Sequence, residues 1–356
     1  MSAAPRRIVI AAGGTAGHVV PALAVAEALR AEGAEVAFIG GERAEAQLVP
    51  AAGFPLQEIS VEALSRSNPL RAMRALGRAA RSVPQARTLL RDLAADAVMG
   101  GGGYVAGPVG LAAASLRIPL VLTEADSHLG LTNRLLAPFA RRVCLAFPVP
   151  GRDRPRYRVT GRPVAPAQLD RAGARERLGI GAEETCVLVF GGSLGARSIN
   201  LAAAEAFADA PFHVVHVSGR RDYAELRARS LPPGYDLRDY LAPPEFAGAL
   251  SAADLVLARA GGSVFEIAAH GLPAILVPYP RASADHQSAN ARWMAQAGAA
   301  VVIPDAQLSA ARLANEVAGL LADRHRLATM AAAASSLARP HAAREVAGEL
   351  LEAAAR

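Results

Sequence analysis

The residues of this chain able to do chemistry gather in and around three glycine turns. The first, Gly13-Gly14-Thr15-Ala16-Gly17-His18, follows the β-branched run Ile8-Val9-Ile10 and opens a segment whose apolar residues recur at helical spacing. A strand, a glycine turn and a helix start aim unpaired backbone N–H groups and the positive end of a helix dipole at one spot. Such a spot suits an anion, commonly a phosphate, although glycine also serves such turns for steric reasons alone. His18 is a candidate general base, because the dipole disfavours the imidazolium and keeps the ring able to accept a proton. A neutral histidine donating to a bound phosphate is the other reading of the same residue.

A second turn, Arg259-Ala260-Gly261-Gly262-Ser263-Val264-Phe265-Glu266, has the same form. Gly262 and Ser263 would offer N–H groups and a hydroxyl to a diphosphate. Glu266, one turn into the helix, could accept from two adjacent ribose hydroxyls, or simply favour a helix N-terminus. In the third, Gly191-Gly192-Ser193-Leu194-Gly195, Ser193 stands where Thr15 stands in the first; each hydroxyl can cap a helix or meet a phosphate oxygen. Gln287 and Asn290 carry amides suited to sugar hydroxyls, in a stretch from Asp285 to Asn290 that reads as a polar loop. Glu124 and Asp126 are the one closely spaced acidic pair with any claim on a metal, and a weak one. His213 and His216, three apart on a strand, face opposite ways and make poor co-ligands.

The elements that must hold these residues alternate. Strand-like runs at Glu35–Gly40, Ala97–Met99, Leu120–Leu122 and Val143–Leu145, with a short one at Leu56–Ser60, are separated by helical stretches. Pro21 is expected in the first turn of its helix, where proline is tolerated. Another glycine run, Gly100-Gly101-Gly102-Gly103-Tyr104, precedes a helix from about Val109. Near Gly161-Arg162-Pro163-Val164 the pattern restarts. The segments IVIAAGGTAGHVVPALAVAEAL and VLVFGGSLGARSINLAAAEAF are one design, so the chain is read as two similar α/β halves, 1–160 and 161–356. Strands are expected at His213–Val217, Tyr235–Leu241, Leu255–Leu257 and Ile275–Val277, then a helical tail from Ser309. Its last helix is a candidate to pack back on the N-terminal half. Parallel sheets place ligands at their carboxyl ends, where all these glycine turns fall.

A length of 356 residues supports two domains, and 52% hydrophobic with 20% charged residues supports well-packed cores. No apolar run reaches the roughly 18 residues that span a bilayer. Met1 to Arg7 pass directly into the first strand, so no signal peptide is expected and the chain is expected to remain in the cytoplasm. Cys144 and Cys186 read as buried hydrophobes. All 38 basic residues are arginine, and the net charge is +6. Without lysine there is neither a Walker A loop nor a Schiff base. Aromatic residues at 4%, not interleaved with basic ones, argue against nucleic acid.

Taken together these motifs resemble the MurG family, bacterial enzymes that transfer GlcNAc from UDP-GlcNAc to undecaprenyl-diphospho-MurNAc-pentapeptide. The resemblance covers nearly the whole chain. Gly13–His18 is similar to the family's GGTGGH loop, Gly102–Val105 to GGYVS, Glu124 with Gly130–Arg134 to HEQN…GLTN, and Gly191–Ala196 to GGSQGA. It implies a GT-B fold: two Rossmann-like α/β domains with parallel sheets, facing across a cleft. It implies acceptor contacts at Thr15, Ala16, Gly17, Gly103, Tyr104 and Glu124. Donor contacts are implied at Ser193, Leu241 (reading uracil through its backbone), Gly262, Ser263, Val264, Phe265, Glu266, Gln287, Asn290, Arg162 and Asp126, with His18 catalytic. An inverting transfer with no metal and no cofactor follows, on the cytoplasmic face of the inner membrane as a peripheral protein. Arg71, Arg74, Arg78 and Arg81, on one helical face, would meet its anionic surface. The chain departs from the family pattern at Ala16, at Thr123–Asp126, and at Arg162 and Ala165, where Asn-Pro-Val-Arg would stand after Gly161. The alternatives are another GT-B enzyme of UDP-sugars, such as a UDP-GlcNAc epimerase or a transferase to a different lipid, and a non-catalytic nucleotide-sugar sensor.

Overall fold

The β-branched runs become the inner strands of two parallel sheets. The computed structural model describes residues 4–61, 82–165, 167, 170–192, 194–282 and 285–355; the Arg71–Arg81 face and Ser193 lie outside them. Two compact units result, Met1–Ala165 with Arg339–Arg356, and Pro166–Ala338.

In the first unit, β1 (Arg7–Ala11), β2 (Glu35–Gly40), β3 (Leu56–Glu58), β4 (Ala97–Gly100), β5 (Leu120–Glu124), β6 (Arg142–Leu145) and β7 (Tyr157–Val159) pair in the order β3-β2-β1-β4-β5-β6-β7. Every pairing is parallel. Successive side chains of β1 enter opposite cores, as a sheet covered on both faces requires. Ile8 and Ile10 pack with Val25 and Leu29 of α1 (Ala16–Ala31), while Val9 and Ala11 pack with Val109 of α4 (Ala106–Leu116). The remaining helices of this unit are α2 (Ala44–Ala51), α3 (82–92), α5 (Leu131–Leu136) and the last helix of the chain, Ala342–Ala354. That last helix buries Val346, Leu350 and Ala353 in the α1 core. Its nearly buried Glu349 accepts from Arg142 Nε at 2.6 Å and Arg158 Nη1 at 2.8 Å, fixing it to β6 and β7.

The second unit repeats the plan. Its strands are β8 (Cys186–Phe190), β9 (His213–Val217), β10 (Tyr235–Arg238), β11 (Leu255–Ala258), β12 (Ala274–Leu276) and β13 (Ala300–Val302), ordered β10-β9-β8-β11-β12-β13. Its helices are α6 (Arg171–Arg177), α7 (Arg197–Ala206), α8 (Arg220–Arg227), α9 (Pro243–Ala252), α10 (Val264–Ala269), α11 (His286–Gln296), α12 (Ala310–Ala322) and α13 (Arg324–Leu337), which makes Ala342–Ala354 α14. In both sheets the order reverses beside the first strand, between β1 and β4 and between β8 and β11. That switch point is where ligands settle in doubly wound sheets.

Two local expectations are corrected. Helix α1 begins at Ala16, so Pro21 sits in its second turn and not its first. The stretch after Asp285 is the start of α11, not a loop: Asn290, Ala291 and Met294 form its buried face, and the polar residues of its first turn disguised it. Unit two also contains a wholly buried histidine. His216 meets Tyr235 Oη at 2.7 Å through Nδ1 and Asn200 Oδ1 at 3.1 Å through Nε2. Asn200 in turn donates to Asp222 Oδ2 and Ser218 O, both at 2.8 Å, joining α7, α8, β9 and β10.

Burial pushes the His216 imidazole down to about 4. In the unfolded chain the ring takes a proton near its ordinary value of about 6.5. Between those values the unfolded state binds more protons, so stability falls as pH falls, by about 1 kcal/mol per pH unit. Chemical denaturation followed from pH 7 to 4 should show this slope. His216→Gln should flatten it in part, because His270 and His18, also held low chiefly by burial, contribute to the same slope.

Candidate active site

At the switch point of the first sheet, the turns after β1 and β4 press together. Gly103 has φ +76°, and a Cβ there would lie 1.9 Å from Gly13 O; only glycine allows this approach. Gly102, at φ +88°, leaves room for the His18 ring, whose Nδ1 would be 2.8 Å from its Cβ. Thr15 occupies the N-cap position of α1, but its hydroxyl makes no capping bond. The N–H groups of Ala16 and Gly17 pair with no described backbone group, so the helix start keeps its anion-binding character.

His18 lies in that first turn. Burial, then the nearby Arg162 guanidinium, hold its imidazole below the ordinary histidine pKa, against the opposing charges of Asp126 and Glu45. Arg162 Nη2 donates to Gly17 O at 2.5 Å, and its strand-end segment helps line the hollow that holds His18, Thr123 and Glu124. Glu124, placed at the end of β5, spends both oxygens on its own loop. It accepts from Asp126 N at 3.1 Å, Gly130 N at 2.8 Å and Asn133 Nδ2 at 3.0 Å. Burial raises the Glu124 pKa, the three donors countering in part. Unit one therefore brings together Thr15, Ala16, Gly17, His18, Gly103, Tyr104, Glu124, Asp126 and Arg162.

The second unit gathers the other group at the end of β11. Ser263 precedes α10 without capping it through its hydroxyl. Val264 and Phe265 are buried, leaving their backbone and the partly exposed Glu266 at the mouth of the turn. Asn290 Nδ2 donates to Ala260 O at 3.0 Å and so holds the turn from below. Gln287 Oε1 accepts from Tyr279 N at 2.9 Å, and its amide nitrogen lies 3.9 Å from where a Gly261 Cβ would be. Leu241 is buried beyond β10, its backbone N–H and C=O paired with no other described backbone group.

Comparison with known proteins matches residues 8–145 to the N-terminal domain of glycosyltransferase family 28 and residues 186–346 to its C-terminal domain. The chain belongs to glycosyltransferase family 28. Among its relatives is the UDP-N-acetylglucosamine–N-acetylmuramyl-(pentapeptide) pyrophosphoryl-undecaprenol N-acetylglucosamine transferase of Moorella thermoacetica, 43% identical over 355 residues, covering 94% of this chain and 96% of that one. The enzyme of the same name from Pseudomonas entomophila is 39% identical over 99% of both chains. The crystal structure of Acinetobacter baumannii MurG superposes with a TM-score of 0.77 at 31% identity, over 98% of this chain and 100% of that one. The two Rossmann-like sheets are thus those of a glycosyltransferase of the GT-B fold.

Two polar centres of this family 28 chain escaped sequence reasoning. Glu45, fully buried, accepts from Gly14 N at 2.8 Å, Gly41 N at 3.0 Å and Tyr104 Oη at 2.8 Å, so one carboxylate ties the first glycine turn to the turn after β4. Burial would raise its pKa, but these donors outweigh burial and hold it below the ordinary carboxylate range. In unit two, Arg259 reaches Asp305 Oδ1 at 2.6 Å and Ser198 Oγ at 2.8 Å, and donates to the Val277 and Pro278 carbonyls. The only signals were a glutamate soon after Gly40-Gly41 and an arginine opening a glycine turn, and neither names its partner.

Gly103→Ala must separate the two turns of the first sheet. Amide hydrogen exchange should accelerate at residues 13–18 and 101–104, while the turn at 261–263 in the other unit exchanges as before.

Proposed function

We propose that this chain transfers GlcNAc from UDP-GlcNAc to undecaprenyl-diphospho-MurNAc-pentapeptide, with inversion and without a metal. One observation carries the reading: relatives named for this reaction match the chain over 94–99% of its length, through both units. The geometry adds chemical reasons. The donor's ribose meets Glu266 and its diphosphate meets the backbone at Gly262 and Ser263, with Ser193 as a second phosphate contact. Gln287 serves the sugar side, Asn290 acts only through the turn it holds from below, and the backbone of Leu241 reads the base. The acceptor's diphosphate takes the N–H groups at Ala16 and Gly17, beside Thr15, Gly103 and Tyr104, with Glu124 shaping the adjoining loop.

In the step itself the acceptor hydroxyl attacks the anomeric carbon, its proton passes to His18, and the bond to the diphosphate oxygen breaks as UDP leaves. A base must be unprotonated before it acts. The depressed pKa of His18 keeps it so across neutral pH, and activity should fall only as acid titrates it below the usual imidazole range. The negative charge developing on UDP is met by backbone donors fixed before the reaction.

The acceptor's polyprenyl chain belongs to a bilayer, while no described helix is long and apolar enough to cross one. On this reading the chain meets its acceptor at the membrane surface, on the cytoplasmic side. Leu131, Leu135 and Phe139, spaced four apart from α5 onward, are 59–64% exposed, and Leu111 of the adjoining α4 is 47% exposed. Together with the exposed Arg134 they form an apolar and basic surface fit for anionic lipid.

UDP release from UDP-GlcNAc, measured with a short-chain acceptor and no added metal, should require the acceptor; tight UDP binding without release would sink the reading. His18→Ala should lower kcat by about 10²–10⁴. Glu266→Ala should raise the donor KM about tenfold or more, with kcat little changed. Separately, sedimentation with phosphatidylglycerol vesicles should retain the wild-type chain and release Leu135→Asp/Phe139→Asp, whose activity on a soluble acceptor persists.

A further inference from the structure

Pro21 lacks an N–H, so the carbonyl four residues before it, that of Gly17, loses its partner inside α1. That carbonyl belongs to the residue just before His18. It is not left empty: Arg162, 145 residues away in sequence, donates to it at 2.5 Å. The arginine starts from fixed backbone, since Thr160 N and Gly161 N both donate to Leu145 O at the end of β6, at 3.1 and 3.2 Å. Gly161 has φ +83°, and the Arg339 side chain packs over it where a Cβ would stand. At Gly17 the approach does not depend on glycine, since a Cβ there would lie 3.8 Å from the Arg162 nitrogen, an ordinary contact.

We propose that Arg162 is a positioning residue for His18: its guanidinium takes the place of the backbone donor that Pro21 removes, and so fixes the turn that presents the imidazole. This rests on the reading of His18 as the base. The arrangement also carries charge. The charges acting on His18 are Arg162 from the segment after β7, Asp126 from the β5–α5 loop and Glu45 from α2; Glu124 at the end of β5 lines the same hollow, its carboxylate turned to its own loop, and the turn after β4 contributes uncharged Gly102. Of the three, Arg162 alone opposes the imidazolium. Losing it leaves two carboxylates to favour protonation, so the ring's pKa moves up and the acid limb of activity moves to higher pH. An arginine that gripped the nucleotide would instead be felt in donor affinity.

The test follows the His18 ring by NMR in the full-length chain with labelled histidine, the signal being assigned by its loss in His18→Gln. In Arg162→Gln the His18 titration should shift to higher pH, and kcat should fall about tenfold to a hundredfold. The affinity for UDP should stay within about twofold of wild type. Arg162→Lys, which keeps the charge and can still donate to the Gly17 carbonyl, should restore the titration and much of kcat, and covers the case in which Arg162→Gln does not fold. An unshifted His18 titration in Arg162→Gln overturns the proposal, as does weakened UDP binding with an unchanged titration. Failure of the base reading shows elsewhere, as near-normal turnover in His18→Ala, because the NMR titration is read without turnover.

Discussion

Each sheet brings two backbone turns closer together than any side chain permits. At the head of the first, Gly103 sits against the carbonyl of Gly13; at the head of the second, a Cβ on Gly195 would lie 1.9 Å from Ser218 O, and one on Gly219 would lie 2.4 Å from Gly195 N. Such glycines lose more entropy on folding than other residues, at roughly 0.5–1 kcal/mol each relative to alanine in regular structure. The sheets' buried β-branched cores offset that cost, and backbone N–H groups are left uncovered at the strand ends. The two units solve the packing differently. The first glycine turn presses on the loop after β4, across the switch point, whereas its twin after β8 presses on the loop after β9, on the other side.

Charged side chains then finish what the glycines leave open, mostly by serving the backbone. Glu45 and Glu124 collect N–H groups from turns. Arginines do the converse for carbonyls: Arg162 for Gly17, Arg259 for Val277 and Pro278, Arg156 for Ala137, and Arg175 for Gly181, Glu184 and Ala252. A guanidinium holds five donors in a rigid fork and stays charged when buried, so one side chain can cap carbonyls from two or three segments. An ammonium would be a poorer substitute at Arg175, which is almost wholly buried. The exclusive use of arginine thus has structural consequences well away from any phosphate.

How far the sequence could be read follows from these same facts. Inner strands such as Ile8–Ile10 and Cys186–Phe190 are buried on both faces and so appear as unbroken apolar runs. Edge strand β7 does not, because Tyr157, Arg158 and Val159 are partly or fully exposed and short. Strand β13 hides behind the alanines that precede Val301. The glycine turns were legible because only glycine serves them, and their order along the chain exposed the repeated half. The groups holding the turns were not legible. Glu45 finds Tyr104 59 residues on, and Arg162 finds Gly17 145 residues back; no spacing rule spans such distances. Pro21 reads as a tolerated first-turn proline; that it falls one turn deeper shows only once α1 has its start, and the donor that answers it lies at the far end of the first sheet.

The return of α14 to the first unit makes that unit discontinuous: the whole of 166–338 is inserted before its last helix. On a ribosome, the first sheet emerges early but cannot close one face of its core. Val25, Ala26 and Leu29 of α1 wait for Val346, Leu350 and Ala353, which are made only after the inserted unit. The inserted unit has all its strands in hand sooner and can complete itself while the earlier one is still open. A nascent chain halted short of residue 342 would therefore carry a finished second unit and an exposed apolar face on the first. The docking of one thirteen-residue helix ends that exposure.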